Sequence, residues 1–267
     1  MLGGNVMKIF FADLTSVELE GIIKNNPVIL LPVGQVEEHG PHLPVGCDTF
    51  IVERIAKAVA EKISAKIPTL VMPAIWTGYS PKIMSKWAGT LRIRTRVVMD
   101  LVYDVLSSLC QMGFKRIVLI DGHGQHRGIL EVAIREIADQ HRVYCALTSP
   151  FVFSADKFAK IRKSGLGGAA HACEWETSVL QFLGYDIDMK KATDIDKMNY
   201  KSEFYEADAI GKKMVFISLW GIHESKSGCF GDPTVSSVET GKEIFNSVVD
   251  TYVKFCREYR QMKMTGE

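Results

Sequence analysis

Short apolar runs alternate with amphipathic stretches through the first two thirds of the chain. The solid run PVILLPVG (27–34) predicts a core strand. Ahead of it, Thr15-Ser-Val-Glu18 has the spacing of a capping box and predicts a short helix ending near Asn25-Asn26. Behind it, Ile51, Ile55, Val59 and Ile63 fall on one stripe and predict an amphipathic helix. TLVMPAIW (69–76) reads as a second strand, and a helix from about Thr95 to Met112 is stopped by Gly113. RIVLIDGH (116–123) reads as a third strand, apolar on both faces as a central parallel strand should be. A helix over Ile129–His141 and a fourth strand, VYCALTSPF (143–151), complete the series. From Asp186 to Gly231 the pattern loses its period apart from MVFISLW (214–220), so long loops that cover a site are expected there. A final amphipathic helix is predicted from about Ser236 to Tyr259.

Strand and helix in alternation predict an α/β fold with a mostly parallel sheet covered on both faces. Ligands in such sheets bind where the strands end at their carboxyl edges. No internal repeat breaks the pattern, and a single domain over residues 1–267 is expected. Met7 is an alternative start, which would leave residues 1–6 as a leader.

Composition narrows the partners. Lys+Arg 32 against Asp+Glu 31 gives a formal net charge of +1, which offers no electrostatic reason to expect nucleic acid or an anionic membrane surface. No apolar run approaches the roughly 20 residues that span a bilayer. The six cysteines lack a CxxC pair and read as reduced thiols, so a cytoplasmic protein is expected.

Three polar clusters sit where the predicted strands and a glycine-rich turn end. The first holds Glu37, Glu38, His39, His42 and Asp48; the second is Asp121-Gly-His123-Gly-Gln-His126; the third is His171-Ala-Cys-Glu174-Trp-Glu176-Thr-Ser178. Carboxylates mixed with imidazoles suit Zn²⁺, Mn²⁺ or Fe²⁺. Glu37 and His39, two apart on an extended segment, point the same way, and Glu38 between them points elsewhere. A bridging carboxylate such as Asp48 would let two cations sit about 3.5–4 Å apart. Unpaired carboxylates beside a core strand are costly, and one metal site accounts for Glu37, His39, Asp48 and His123 together. A structural hydrogen bond serves His42 at least as well as a ligand role, and Cys47 and Cys173 read as wall residues. Gly165-Leu-Gly-Gly168 lacks the Lys-Ser/Thr of a phosphate loop.

These clusters carry a family resemblance. PVGQVEEHGPHLPVGCDT resembles the signature of the creatininase (creatinine amidohydrolase) family, P-V-G-x-x-E-Q-H-G-P-H-L-P-x-x-x-D. WAGT (87–90) is similar to the family's F-P-G-T, IDGHG (120–124) to N-G-H-G, HACEWETS (171–178) to H-A-G-E-x-E-T-S, and GDPTVSSVETG (231–241) to G-D-P-x-x-A-x-x-E-x-G. The resemblance implies a three-layer α/β/α sandwich, two divalent metal ions per chain (Zn²⁺ or Mn²⁺, with Fe²⁺ a third candidate), and a homo-oligomer, commonly a hexamer.

Carried over by position, the resemblance implies that Glu37, Asp48 and His123 hold one metal, and that His39 and the bridging Asp48 hold the other. Creatininase proper completes the second site with a glutamate where this chain has Gln125. It also has an apolar residue where this chain has Glu174, so Glu174 is expected to supply the missing carboxylate, with Glu176 the fallback. His171 matches the catalytic histidine, and the glutamate that precedes that histidine in creatininase is Ala170 here. Tyr79, Trp87, Gln125 and Trp175 are expected to line the substrate pocket, although core packing is the plainer role for at least two aromatics near the motifs.

The implied activity is attack of metal-activated water on the carbonyl of a small cyclic amide other than creatinine, with His171 stabilising the oxyanion or protonating the leaving group. Hydrolysis of a cyclic ketone such as an inosose derivative, or of a formamide, is the alternative. A maturation or assembly role is the non-catalytic one.

Overall fold

The computed structural model describes residues 8–218 and 223–263. The leader expected over residues 1–6 and the end of the MVFISLW run lie outside them.

Helix α1 (Ser16–Ile23) opens on the capping box read from the sequence: the Thr15 side chain accepts from the Glu18 amide while the Glu18 carboxylate accepts from the Thr15 amide. Four strands follow in a parallel sheet: β1 (Val28–Val33), β2 (Thr69–Val71), β3 (Arg116–Asp121) and β4 (Tyr144–Thr148), in the order β2-β1-β3-β4. β1 and β3 pair along their whole length, Val28 with Arg116 through Val33 with Asp121.

The chain crosses the sheet through α2 (Cys47–Ile63), α3 (Thr95–Gln111) and α4 (Arg127–His141), and ends in α7 (Glu174–Phe182) and α8 (Val238–Gln261), after two short helices, α5 (Pro150–Phe153) and α6 (Ala155–Ile161). Alternation along the central strands decides the layers. Val28, Leu30, Val118 and Ile120 pack against Ile55 and Val59 of α2, Val179 of α7 and Ile244 and Tyr252 of α8. Ile29, Leu31, Ile117 and Leu119 pack on the other face against Leu106 of α3 and Leu130 and Ile137 of α4. The result is the three-layer α/β/α sandwich.

Two strands end earlier than their apolar runs suggest, each for want of a proline N–H. β2 stops before Pro73, and the chain rejoins the sheet only as a bridge between Val33 and Ile75. β4 stops at Thr148, and Pro150 occupies the first turn of α5 instead of extending the strand to Phe151. Residues 186–218 and 223–231 form the expected long loops, with isolated bridges joining Lys201 to Glu206 and Tyr205 to Lys213. Met198, Tyr205, Ala207 and Phe230 from this segment pack with Met84, and Ala170 borders that cluster. Among the described residues no helix is long and apolar enough to cross a membrane.

Candidate metal centre

β1 and β3 end side by side, and their following loops deliver the first two clusters to one place. Glycine permits the close approach. A Cβ at Gly34 would overlap Thr49 at the start of α2, and one at Gly122 would lie 2.7 Å from Val52 Cγ1 and 2.9 Å from the Asp48 carbonyl. With neither side chain present, the β1 loop, the β3 loop and the amino end of α2 pack directly together, and Glu37, His39, Asp48 and His123 are all buried.

Asp48 stands between two imidazoles. Its Oδ1 is 3.2 Å from His39 Nε2, and its Oδ2 is 3.0 Å from His123 Nδ1. Glu37 Oε2 lies 3.7 Å from His123 Nδ1 and 3.7 Å from His171 Nδ1. His39 Nδ1 is 3.1 Å from the Glu37 carbonyl, which can only accept, so Nδ1 carries the proton in the neutral ring. Its Nε2 lone pair then faces Asp48 and, at 3.8 Å, Glu176 Oε1. His171 is fixed the same way: Nε2 donates to the Glu38 carbonyl at 2.8 Å, which leaves the lone pair on Nδ1.

Lone pairs facing one another at these distances repel unless a cation lies between them. In the metal-free protein protons take that place. Burial opposes the imidazolium at His39, but the Cys47 sulfur and the Asp48 carboxylate outweigh it and hold the ring's pKa well above the usual histidine range. At His123 burial is likewise outweighed, by Glu37, Asp48 and Asp121, and the pKa rises to about 9. Burial alone would raise Asp48; His39 and His123 reverse that and depress it far below the usual carboxylate range. Both oxygens of the fully buried Glu37 have no hydrogen-bond donor. Leaving carboxylate oxygens buried and unsatisfied is costly, and a divalent cation removes the cost.

The residues therefore fit a divalent metal. Donor atoms of Glu37, Asp48 and His123 lie within 4.8 Å of one another, as do those of His39, Cys47 and Asp48, and those of His39, His171 and Glu176. Metal–ligand bonds of about 2.0–2.2 Å bring neighbouring donors to roughly 3–3.6 Å, close to the separations present here.

Glu174 corrects the sequence reading. Its fully buried carboxylate accepts from the Lys163 amide at 2.9 and 3.1 Å and from the Ser164 amide at 2.8 Å, and it does not reach the cluster. Glu176, two residues on, takes the position beside His39 while its Oε2 caps the Cys173 amide at 2.9 Å. Residues two apart on a helix lie some 200° around the axis, so only one of the pair can face the cluster.

The pocket aromatics also need correction. A cavity of about 60 Å³ over the cluster is lined by Glu37, Asp48, His123, His171 and Glu176 and, beyond these, by Met84, Ala170, Gln125, Gly122 and Gly124. Of the four substrate-binding candidates only Gln125 borders it. Trp175 is buried, its indole N–H on Ser154 Oγ at 2.8 Å, and it borders a smaller cavity behind Asp48 and Glu176. The Tyr79 ring lies under the Arg92 guanidinium, and Trp87 caps the 3₁₀ turn Lys82–Lys86, whose Met84 forms the wall in its stead. Met84 lies between Ile83 and Ser85 and brings no reactive group of its own, so the sequence held no signal for it.

A family model described as creatinine amidohydrolase matches residues 12–256. The chain belongs to the creatininase family. It is 26% identical over 273 residues to the 3-dehydro-scyllo-inosose hydrolase of Thermotoga maritima, which covers 97% of this chain and 86% of that protein. It is 28% identical over 255 residues to the mycofactocin precursor peptide peptidase of Mycobacterium tuberculosis, covering 91% and 89%. A solved structure titled "Creatininase Mn" superposes with a TM-score of 0.79 at 23% identity, over 96% of this chain and all of that one. The fold is thus that of the creatininases, and the chain is an enzyme of the hydrolase class.

Proposed function

We propose that the chain is a binuclear metal-dependent hydrolase that opens or cleaves a small carbonyl compound, a cyclic amide other than creatinine in the first instance. The observation that supports it most is the sharing of Asp48 between two donor sets, with unsatisfied buried carboxylate oxygens between them. Glu37, Asp48 and His123 would hold one ion; His39, Asp48 and Glu176 would hold the other. Divalent ions there supply a Lewis acid for the carbonyl and water acidic enough to ionise near neutral pH.

The chain's own residues do the rest. His171, its Nε2–H tied to the Glu38 carbonyl, presents Nδ1 as the atom that accepts and returns a proton. The Gln125 carboxamide offers one donor and one acceptor edge to a neutral substrate, and Met84 and Ala170 give the cavity an apolar side. Ala170 and Gln125 leave no carboxylate where creatininase proper carries one, which is the argument against creatinine. Hydrolysis of a cyclic ketone is the second reading, favoured by the full-length likeness to the inosose hydrolase. Assembly into a homo-oligomer, hexameric by resemblance, belongs to the same proposal and is checked by light scattering.

The test is a screen of lactams, formamides and cyclic ketones with protein stripped by chelator and then reloaded with Zn²⁺ or Mn²⁺. Turnover of one class only after reloading is expected, with creatinine poor. Efficient creatinine hydrolysis would overturn the substrate argument, and turnover indifferent to metal removal would overturn the mechanism.

A further inference from the structure

We propose that the Cys47 thiolate is itself a ligand of the second ion, so that this site prefers a thiophilic metal such as zinc or cobalt over manganese. The inference rests on the metal-dependent reading above and adds a donor to it. Among the described residues, Cys47 is the one cysteine whose sulfur falls in a metal-compatible donor group, within 4.8 Å of a histidine nitrogen of His39 and a carboxylate oxygen of Asp48. It is fully buried, as is His39, and Asp48 Oδ1 stands 3.2 Å from His39 Nε2.

Local structure explains how an anionic sulfur can be held there. Cys47 and Asp48 are the first two residues of α2, a helix of 17 residues whose N-cap, Gly46, supplies no capping side chain. Burial pushes the Cys47 thiol up to about 12, and the dipole of that helix end favours negative charge on both side chains once a cation is bound.

Binding forms the metal–sulfur bond as the thiol proton leaves to solvent. The two sites then differ in character: Glu37, Asp48 and His123 offer oxygen and imidazole alone, whereas His39, Asp48, Glu176 and Cys47 include a soft donor that favours zinc and cobalt.

The experiment is a titration of metal-stripped protein with Co²⁺ under reducing conditions, read by absorption. Ligand-field bands in the visible report binding, and a near-ultraviolet thiolate-to-cobalt charge-transfer band reports sulfur ligation. The native protein should show both. Cys47→Ser should lose the charge-transfer band while keeping visible bands from the other site, and Cys173→Ser should keep both. Visible bands without charge transfer in the native protein, or charge transfer surviving in Cys47→Ser, would overturn the inference and leave the metal centre standing. No Co²⁺ bound at all would overturn the centre as well. Should Cys47→Ser fail to fold, ¹¹³Cd NMR of the native protein decides: one resonance in the thiolate-ligated range supports the inference, and resonances confined to the oxygen–nitrogen range contradict it.

Discussion

Substituting Glu174 by glutamine separates a structural carboxylate from a metal-binding one. The Glu174 carboxylate accepts from two backbone amides, Lys163 and Ser164, on the segment leading to His171, and it is fully buried. Hydrogen bonds to a charged buried acceptor contribute about 1.5–3 kcal/mol each. Glutamine keeps one carbonyl oxygen for one amide and turns an NH₂ donor toward the other, so one bond is lost and one amide is left unsatisfied. A destabilisation of about 3 kcal/mol follows, and in a chain of this size a Tm lower by roughly 6–12 °C. Metal content should not change. Glu176→Gln should do the reverse. Its side chain is 14% exposed, and beyond the cap on Cys173 it has no structural partner of that kind, so the stability cost is about 1 kcal/mol while one of two ions is lost. Thermal unfolding and elemental analysis on both variants decide the matter. Metal loss in Glu174→Gln with an unchanged Tm would refute the assignment.

Other expectations follow from the same geometry. Asp48→Ala should lose both ions, because each site uses one of its oxygens; elemental analysis finding one ion at full occupancy would remove Asp48 from the bridging role. His171→Ala should lower turnover by roughly 10²–10⁴-fold with metal content intact, and metal loss instead would make Nδ1 a ligand. Burial first, then the charges of His39 and His171, lower the pKa of His42 to about 4 from an ordinary 6.5. The unfolded chain therefore takes up that proton first, and stability falls as pH drops from about 6.5 to about 4, by up to roughly 3 kcal/mol. Denaturant titrations of the wild type and His42→Gln across that range should differ by this slope, and identical slopes would contradict it. Tyr252→Phe, which deletes a buried bond to Thr148 Oγ1 at 2.9 Å, should cost about 1 kcal/mol by denaturant unfolding.

What the sequence made legible was the part written in short-range pattern. Apolar runs located β1 and β3, and the capping box located α1, because each element's own residues determine it. The ends of β2 and β4 were misjudged where apolar residues continue past a proline. Glu37, His39 and Asp48 were legible because a single rigid loop carries them into α2. The choice between Glu174 and Glu176 was not, since it turns on the rotation of α7 and on a segment around Lys163 that only the fold brings to Glu174. Cys47 read as wall because sequence places it only beside Asp48, and the fold alone brings its sulfur within 4.8 Å of a His39 nitrogen. Met84 and the displacement of Trp87 belong to the same category, as products of packing between the 3₁₀ turn and the long loop.

Anomalous X-ray scattering from crystals grown with Mn²⁺ or Zn²⁺ tests the central claim most directly. Two peaks per chain are expected, one among Glu37, Asp48 and His123 and the other among His39, Asp48 and Glu176, with Asp48 touching both. A single peak, no peak, or an ion held by Glu174 would contradict the account.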